Sequence, residues 1–322
     1  MKWLTPTRRK WLLVAVKLLI VAVIVWCIRS TIRSAMAQLG QHSWRFAPPW
    51  LAASGALYLL GLLPEGLFWH RVLTALGQNA RLGETLRAYF IGHLGKYVPG
   101  KAMVIVLRTG LIRNARVDTG LAIASVFLET LTMMSVGACI AAAILAGCLA
   151  DDRRLLAAAI GMVAVAGLPT LPPVFSRLAR WAGVGRSNPA VAEKLAGLRY
   201  RTLVGGWVLL MIGWVLMGAS LWAVLRAMGT PADLAEMHLY TATVAMAVVA
   251  GFLSMIPGGL LSRDAVLAAI LVRQLGDPAS ALVAAAALRL VWLMAEVMIS
   301  AILYVGGRVH AFDCHPGLQR GR

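Results

Sequence analysis

Long apolar blocks separated by short connections rich in Arg and Lys dominate this chain of 322 residues. A helix needs about 20 apolar residues to cross roughly 30 Å of hydrocarbon, and several blocks reach that length. The blocks at about 11–28, 50–69 and 121–149 predict three spans in the first half, and those at about 155–175, 203–228 and 279–305 predict three more in the second. Two further runs, 85–112 and 239–275, are interrupted by Pro99-Gly100 and by Pro257-Gly258-Gly259. Pro removes a backbone donor and Gly frees the dihedrals, so each interruption ends a helix. The two pieces of 85–112 are each too short to cross, and the pattern predicts a re-entrant hairpin at each break. Broken helices at membrane depth survive only against protein or a water-filled cavity.

The two series have the same order. Pro99 and Pro257 are 158 residues apart by subtraction, and the same offset carries the third span onto the last one. It also carries the second span onto 203–228. Residues 1–150 and 151–322 therefore predict two repeats, each of three spans and one broken hairpin. Three crossings is an odd number, so the copies must face the membrane oppositely, as an inverted repeat. The expected fold is an all-α integral membrane bundle; eight full crossings is the competing count.

Composition agrees. Apolar residues make up 60% of the chain and charged ones 14%, and the mean hydropathy is +0.78, which excludes an ordinary soluble domain. The formal charge of +18 does not point to nucleic acid, because the basic residues sit in the connections. They are in excess on one side (the N-terminus, the connections around Arg71–Arg87 and Arg113–Arg116, the basic amphipathic stretch 177–201 and the basic tail 306–322). The positive-inside rule then puts both termini in the cytoplasm. Ala35-Met36-Ala37 mimics a signal-peptidase site, but the length of the preceding run and Arg29 and Arg33 favour a retained span. Lys17 within it is expected to snorkel or to face the bundle.

The candidate chemistry is electrostatic. Lys96, Lys101 and Arg108 cluster around the first break and Arg263 stands beside the second, a pattern suited to an anion at helix N-termini. Glu129, Arg289 and Glu296 lie inside long spans, where charges face the bundle interior and pair. Glu129 and Arg289 hold nearly equivalent places in the repeats, which predicts a Glu129–Arg289 pair with Glu296 as a competing partner. Glu65 is placed near a span end, in solvent, and His70 and His93 are isolated. Cys27, Cys139, Cys148 and Cys314 lack metal-ligand spacing, and Asp313-Cys314-His315 is read as a solvated tail. No nucleotide loop, His-Glu-x-x-His motif or nucleophile elbow is present, so neither enzyme, metal nor cofactor is expected.

The stretch Gly95-Lys96-Tyr97-Val98-Pro99-Gly100-Lys101 with Arg108 resembles the first signature of the lysylphosphatidylglycerol synthase transmembrane-region family, also called flippase-like. Pro257-Gly258-Gly259-Leu260-Leu261-Ser262-Arg263-Asp264-Ala265 resembles the second, with Leu261 where Gly is usual and Asp264 where Glu is usual. Glu129 and Arg289 also fit the family pattern, and the resemblance spans essentially the whole chain. It implies movement of an anionic phospholipid or polyprenyl-phosphate lipid between leaflets of the cell membrane, by a stand-alone member without the aminoacyl-transferase domain. A secondary transporter of a small anionic solute, or a non-transporting subunit working with an envelope-lipid enzyme or as an oligomer, are the alternatives.

Overall fold

A computed structural model describes residues 46–98, 102–112, 117–148, 163–165, 167–186, 189–254 and 262–313, together with the isolated positions 29, 33 and 161; at 144–148 and 307–313 only the backbone is described. The expected first span at 11–28, Lys17 and both Pro-Gly breaks with Lys101 lie outside the described residues.

Every described element is helical. α1 is Pro48–Ala75, α2 Leu82–His93, α3 Ala102–Ile112 and α4 Thr119–Cys148, with a 3-10 turn, Leu94–Tyr97, continuing α2 toward the break. α5 is Pro172–Trp181 and α6 Pro189–Ala196. α7 is Tyr200–Ala227, α8 Met237–Leu253, α9 Ser262–Leu275 and α10 Pro278–Asp313. By subtraction of their starts, α1–α4 and α7–α10 are offset by 152, 155, 160 and 159 residues.

Five helical stretches are long and apolar enough to cross a membrane: Pro48–Ala75, Thr119–Ala143, Tyr200–Ala227, Leu234–Leu253 and Pro278–Gly306. This is a multi-pass membrane protein. Its outward side chains include Val204, Val208, Ile212, Met294 and Ile302, so the exterior is apolar as hydrocarbon requires.

Three boundaries differ from the sequence reading. α8, with the 3-10 turn before it, reaches spanning length, so the second broken segment is not a hairpin of two short pieces. The expected 155–175 span, much of which lies outside the described residues, meets a turn at Leu168–Thr170 near its end, and Pro172 opens α5. Proline at a helix start needs no donor, which is why a new helix begins there. α10 runs on through Asp313 into the region expected as tail.

The bundle is built on α1 and α7, which run antiparallel. Ala47 N–H donates to the Ala227 carbonyl at 2.9 Å, and Ser54 meets Ser220 at 2.8 Å. At the crossing a Cβ on Gly213 would stand 2.9 Å from the Gly61 carbonyl oxygen. Only glycine lets the backbones come this close, and lipid-embedded helices associate through such contacts and through buried hydroxyls. α10 lies against α1, α2 and α9, while α4 lies against α1, α7 and α8. Ser300 Oγ donates to the Phe90 carbonyl at 3.2 Å and Arg87 Nε to that of Leu303 at 3.1 Å, which runs α10 antiparallel to α2.

Candidate functional site

Charged side chains meet where the broken helices end against the long ones. The turn after α2 presents Lys96, whose Nζ donates to Glu296 Oε1 on α10 at 2.6 Å. The Tyr58 hydroxyl from α1 donates to the same oxygen. His93 Nε2 lies 3.0 Å from Lys96 Nζ, and Tyr58 stacks on Trp292 at 4.0 Å between ring centroids. Trp292 is itself anchored, donating its indole N–H to Ser220 Oγ at 2.9 Å.

A second pair joins α3 to α4. Arg108 Nη1 donates to Glu129 Oε2 at 2.6 Å, and its guanidinium sits 4.0 Å over the Tyr89 ring. Both partners are nearly dry, Arg108 at 3% and Glu129 at 1% exposure. A third pair, Arg289 with Asp264, joins α9 to α10. The second and third pairs are counterparts in the two halves with their signs exchanged. In one the broken helix brings the cation and the long helix the acid; in the other the roles are reversed.

The expected Glu129–Arg289 pair does not form. α4 and α10 are not close neighbours, so each charge is met by the broken helix next to it, Arg108 for Glu129 and Asp264 for Arg289. Glu296 is not a partner of Arg289 either; it takes Lys96 and Tyr58. Lys96 and Arg108, expected as part of an open cationic cluster, both carry a carboxylate partner. Glu65 was placed in solvent, but α1 continues past Pro64 to Ala75 and leaves Glu65 1% exposed. His93 is no isolated residue but part of the Lys96–Glu296 group.

Between these groups lies a cavity of about 440 Å³, within the roughly 300–1,000 Å³ usual for small-molecule sites. Its polar lining comprises Lys96, Arg108, Arg263, Glu129, Tyr58 and His93. Its apolar lining includes Val104, Ile105, Met133, Val248 and Phe252. Ala102 and Phe127, also in the lining, are exposed and place the mouth beside α3 and α4. Arg263 lies 4.2 Å over the Trp292 ring, a cation–π contact. Among the described residues it has no carboxylate within ion-pair distance. Arg108 Nε, Arg289 Nη2, Glu296 Oε2 and Glu65 Oε1 are buried polar atoms with no hydrogen-bond partner among the described residues. No three His, Cys, Asp or Glu side chains gather at one point among those residues.

Tyr58, Tyr89 and Trp292 escaped the sequence reading. One signal was available: Tyr89, His93 and Lys96 follow at spacings of four and three, which puts them on one helix face. No match was found among curated proteins. A family model described as "Lysylphosphatidylglycerol synthase TM region" matches residues 14–299, and the chain belongs to that family.

Proposed function

We propose, from membership of the lysylphosphatidylglycerol synthase transmembrane-region family, that this protein carries an anionic lipid between leaflets. The observation that carries the reading is the mixed lining of the cavity, basic side chains with Arg263 among them together with apolar ones, beside exposed residues of α3 and α4. A lipid presents the matching two chemistries, an anionic phosphate and apolar acyl chains. Arg263 offers a planar fork of donors to the phosphate while resting on Trp292. Lys96 and Arg108 add charge as their carboxylates yield. The exchanges are non-covalent, so no catalytic residue is assigned.

The antiparallel course of α1 and α7 supports an inverted repeat, and the basic excess in the connections supports both termini in the cytoplasm of a cell-membrane protein. Cysteine labelling from either side of intact cells checks that orientation.

The test is leaflet exchange in proteoliposomes carrying fluorescent phosphatidylglycerol, with fluorescent phosphatidylcholine as the zwitterionic control. Exchange of the anionic lipid is expected to exceed that of the control. Charge-assisted hydrogen bonds are worth about 1.5–3 kcal/mol, so Arg263→Ala should slow it by roughly ten- to a hundred-fold. Exchange that ignores Arg263→Ala, or uptake of a water-soluble anion in place of lipid, overturns the reading.

A further inference from the structure

Glu65 is a buried acid for which the proposed lipid path has no use. Its place is built. A Cβ on Gly66 would stand 2.8 Å from Leu86 Cδ2 and 3.3 Å from Tyr89 Cγ, so the glycine lets α2 press against α1 and brings Tyr89 to the carboxyl. The Tyr89 hydroxyl donates to Oε2, and Oε1 has no partner among the described residues. On the α7 side Gly213 lies against Glu65 Cγ.

The other groups that face it are few. α2 adds His93, stacked on Tyr89 at 5.9 Å. α3 brings Arg108 over the same Tyr89 ring, α4 brings Glu129, and the turn after α2 brings Lys96. α10 brings Glu296, already bonded to Lys96. Arg108 is held by Glu129 at 2.6 Å and Lys96 by Glu296 at 2.6 Å, so neither nearby cation is left over for Glu65. A carboxylate taken out of water with no cation of its own is costly, and it sheds that cost by taking a proton.

We infer that Glu65 is a proton-binding site loaded together with the anionic headgroup, so that each lipid moved carries a proton with it. The inference rests on the proposed lipid path. A phosphate entering the cavity adds a negative charge beside Arg108, on the far side of Tyr89 from Glu65. Two like charges in one dry volume repel, and a proton on Glu65 removes one of them. The proton comes from the aqueous phase, bonds to Oε1 and leaves the carboxyl neutral. By linkage the effect is reciprocal: the lipid tightens proton binding, and the proton tightens lipid binding.

Full-length protein in weakly buffered detergent micelles, titrated with short-chain phosphatidylglycerol beside a pH-indicator dye, reads the coupling directly. Wild type is expected to take up as much as about one proton per lipid bound. Glu65→Gln should bind the lipid and lose the uptake, whereas Glu193→Gln, at an exposed acid of α6 away from the cavity, should keep it. Uptake that survives in Glu65→Gln, or lipid binding by wild type without uptake, overturns the inference. Absence of lipid binding counts instead against the proposed path. Protonation is then read without lipid, as an infrared carboxylic-acid band that disappears in Glu65→Gln and shifts in Tyr89→Phe, where its hydrogen bond is lost. A pH-difference spectrum with no such band, or a band indifferent to Tyr89→Phe, also overturns it.

Discussion

Replacing Glu129 with Leu strips the negative charge from a pair whose members are 3% and 1% exposed and 2.6 Å apart. The guanidinium left behind cannot shed its proton. It keeps the Tyr89 face at 4.0 Å, which offsets at most about 2 kcal/mol. Breaking one side of a buried pair costs about 3–5 kcal/mol, against about 0–1 kcal/mol for a solvent-exposed pair. Arg108→Met alone strands Glu129 and should cost a similar amount. The double substitution Arg108→Met with Glu129→Leu removes both charges from the dry site and is expected to be near neutral or stabilising. The two single effects should therefore exceed the double one by several kcal/mol. Reversible unfolding in mixed micelles with rising detergent denaturant, followed by tryptophan fluorescence, measures all four corners of the cycle. If the single effects simply add up to the double effect, the pair is not coupled and the reasoning fails. The double variant is expected to fold yet to exchange anionic lipid more slowly, because Arg108 lines the cavity.

Two further substitutions probe the frame around this site. Gly213→Ala sets a Cβ 2.9 Å from the Gly61 carbonyl, a backbone atom that cannot swing aside, so α1 and α7 must part. The expected loss is about 1–3 kcal/mol in the same unfolding assay, and an unchanged stability would contradict the close crossing. Tyr58→Phe keeps the stack on Trp292 but withdraws the hydroxyl from Glu296. It should cost about 1–3 kcal/mol, with Tyr58→Leu costing about 0.5–1.5 kcal/mol more for the lost stack; equal losses in the two variants would refute that division.

Four of the spanning helices were legible in the sequence as unbroken apolar runs, with α4, α7 and the starts of α1 and α10 within a few residues of their expected bounds, whereas α8 was read as part of a hairpin. The charges were legible as a set but not as pairs. Equivalent positions in two repeats suggested Glu129 with Arg289, yet equivalence in sequence says nothing about which helices touch. Pairing is decided by reach: Arg108 sits on the helix next to Glu129, while Arg289 is on a helix that does not pack on α4. Glu65 was misplaced for a different reason. The expected span stops at about 69 and so leaves Glu65 near its end, but a membrane helix tolerates Pro64 and α1 carries on for six more residues by subtraction, to Ala75. The aromatic members of the site were hidden because Tyr58, Tyr89 and Trp292 also serve as ordinary core residues.

The exchanged signs of Arg108–Glu129 and Asp264–Arg289 bear on how the chain is made. Each pair closes within its own half, across 21 and 25 residues of sequence. An emerging chain can therefore cancel these charges while the remainder is still on the ribosome, and each half can leave the insertion machinery electrically neutral there. The pair that must wait is Lys96–Glu296, 200 residues apart. Its lysine side chain keeps 26% of its surface exposed. It can stay hydrated until the last helix arrives, so this pair closes last, on a frame that α1 and α7 have already joined.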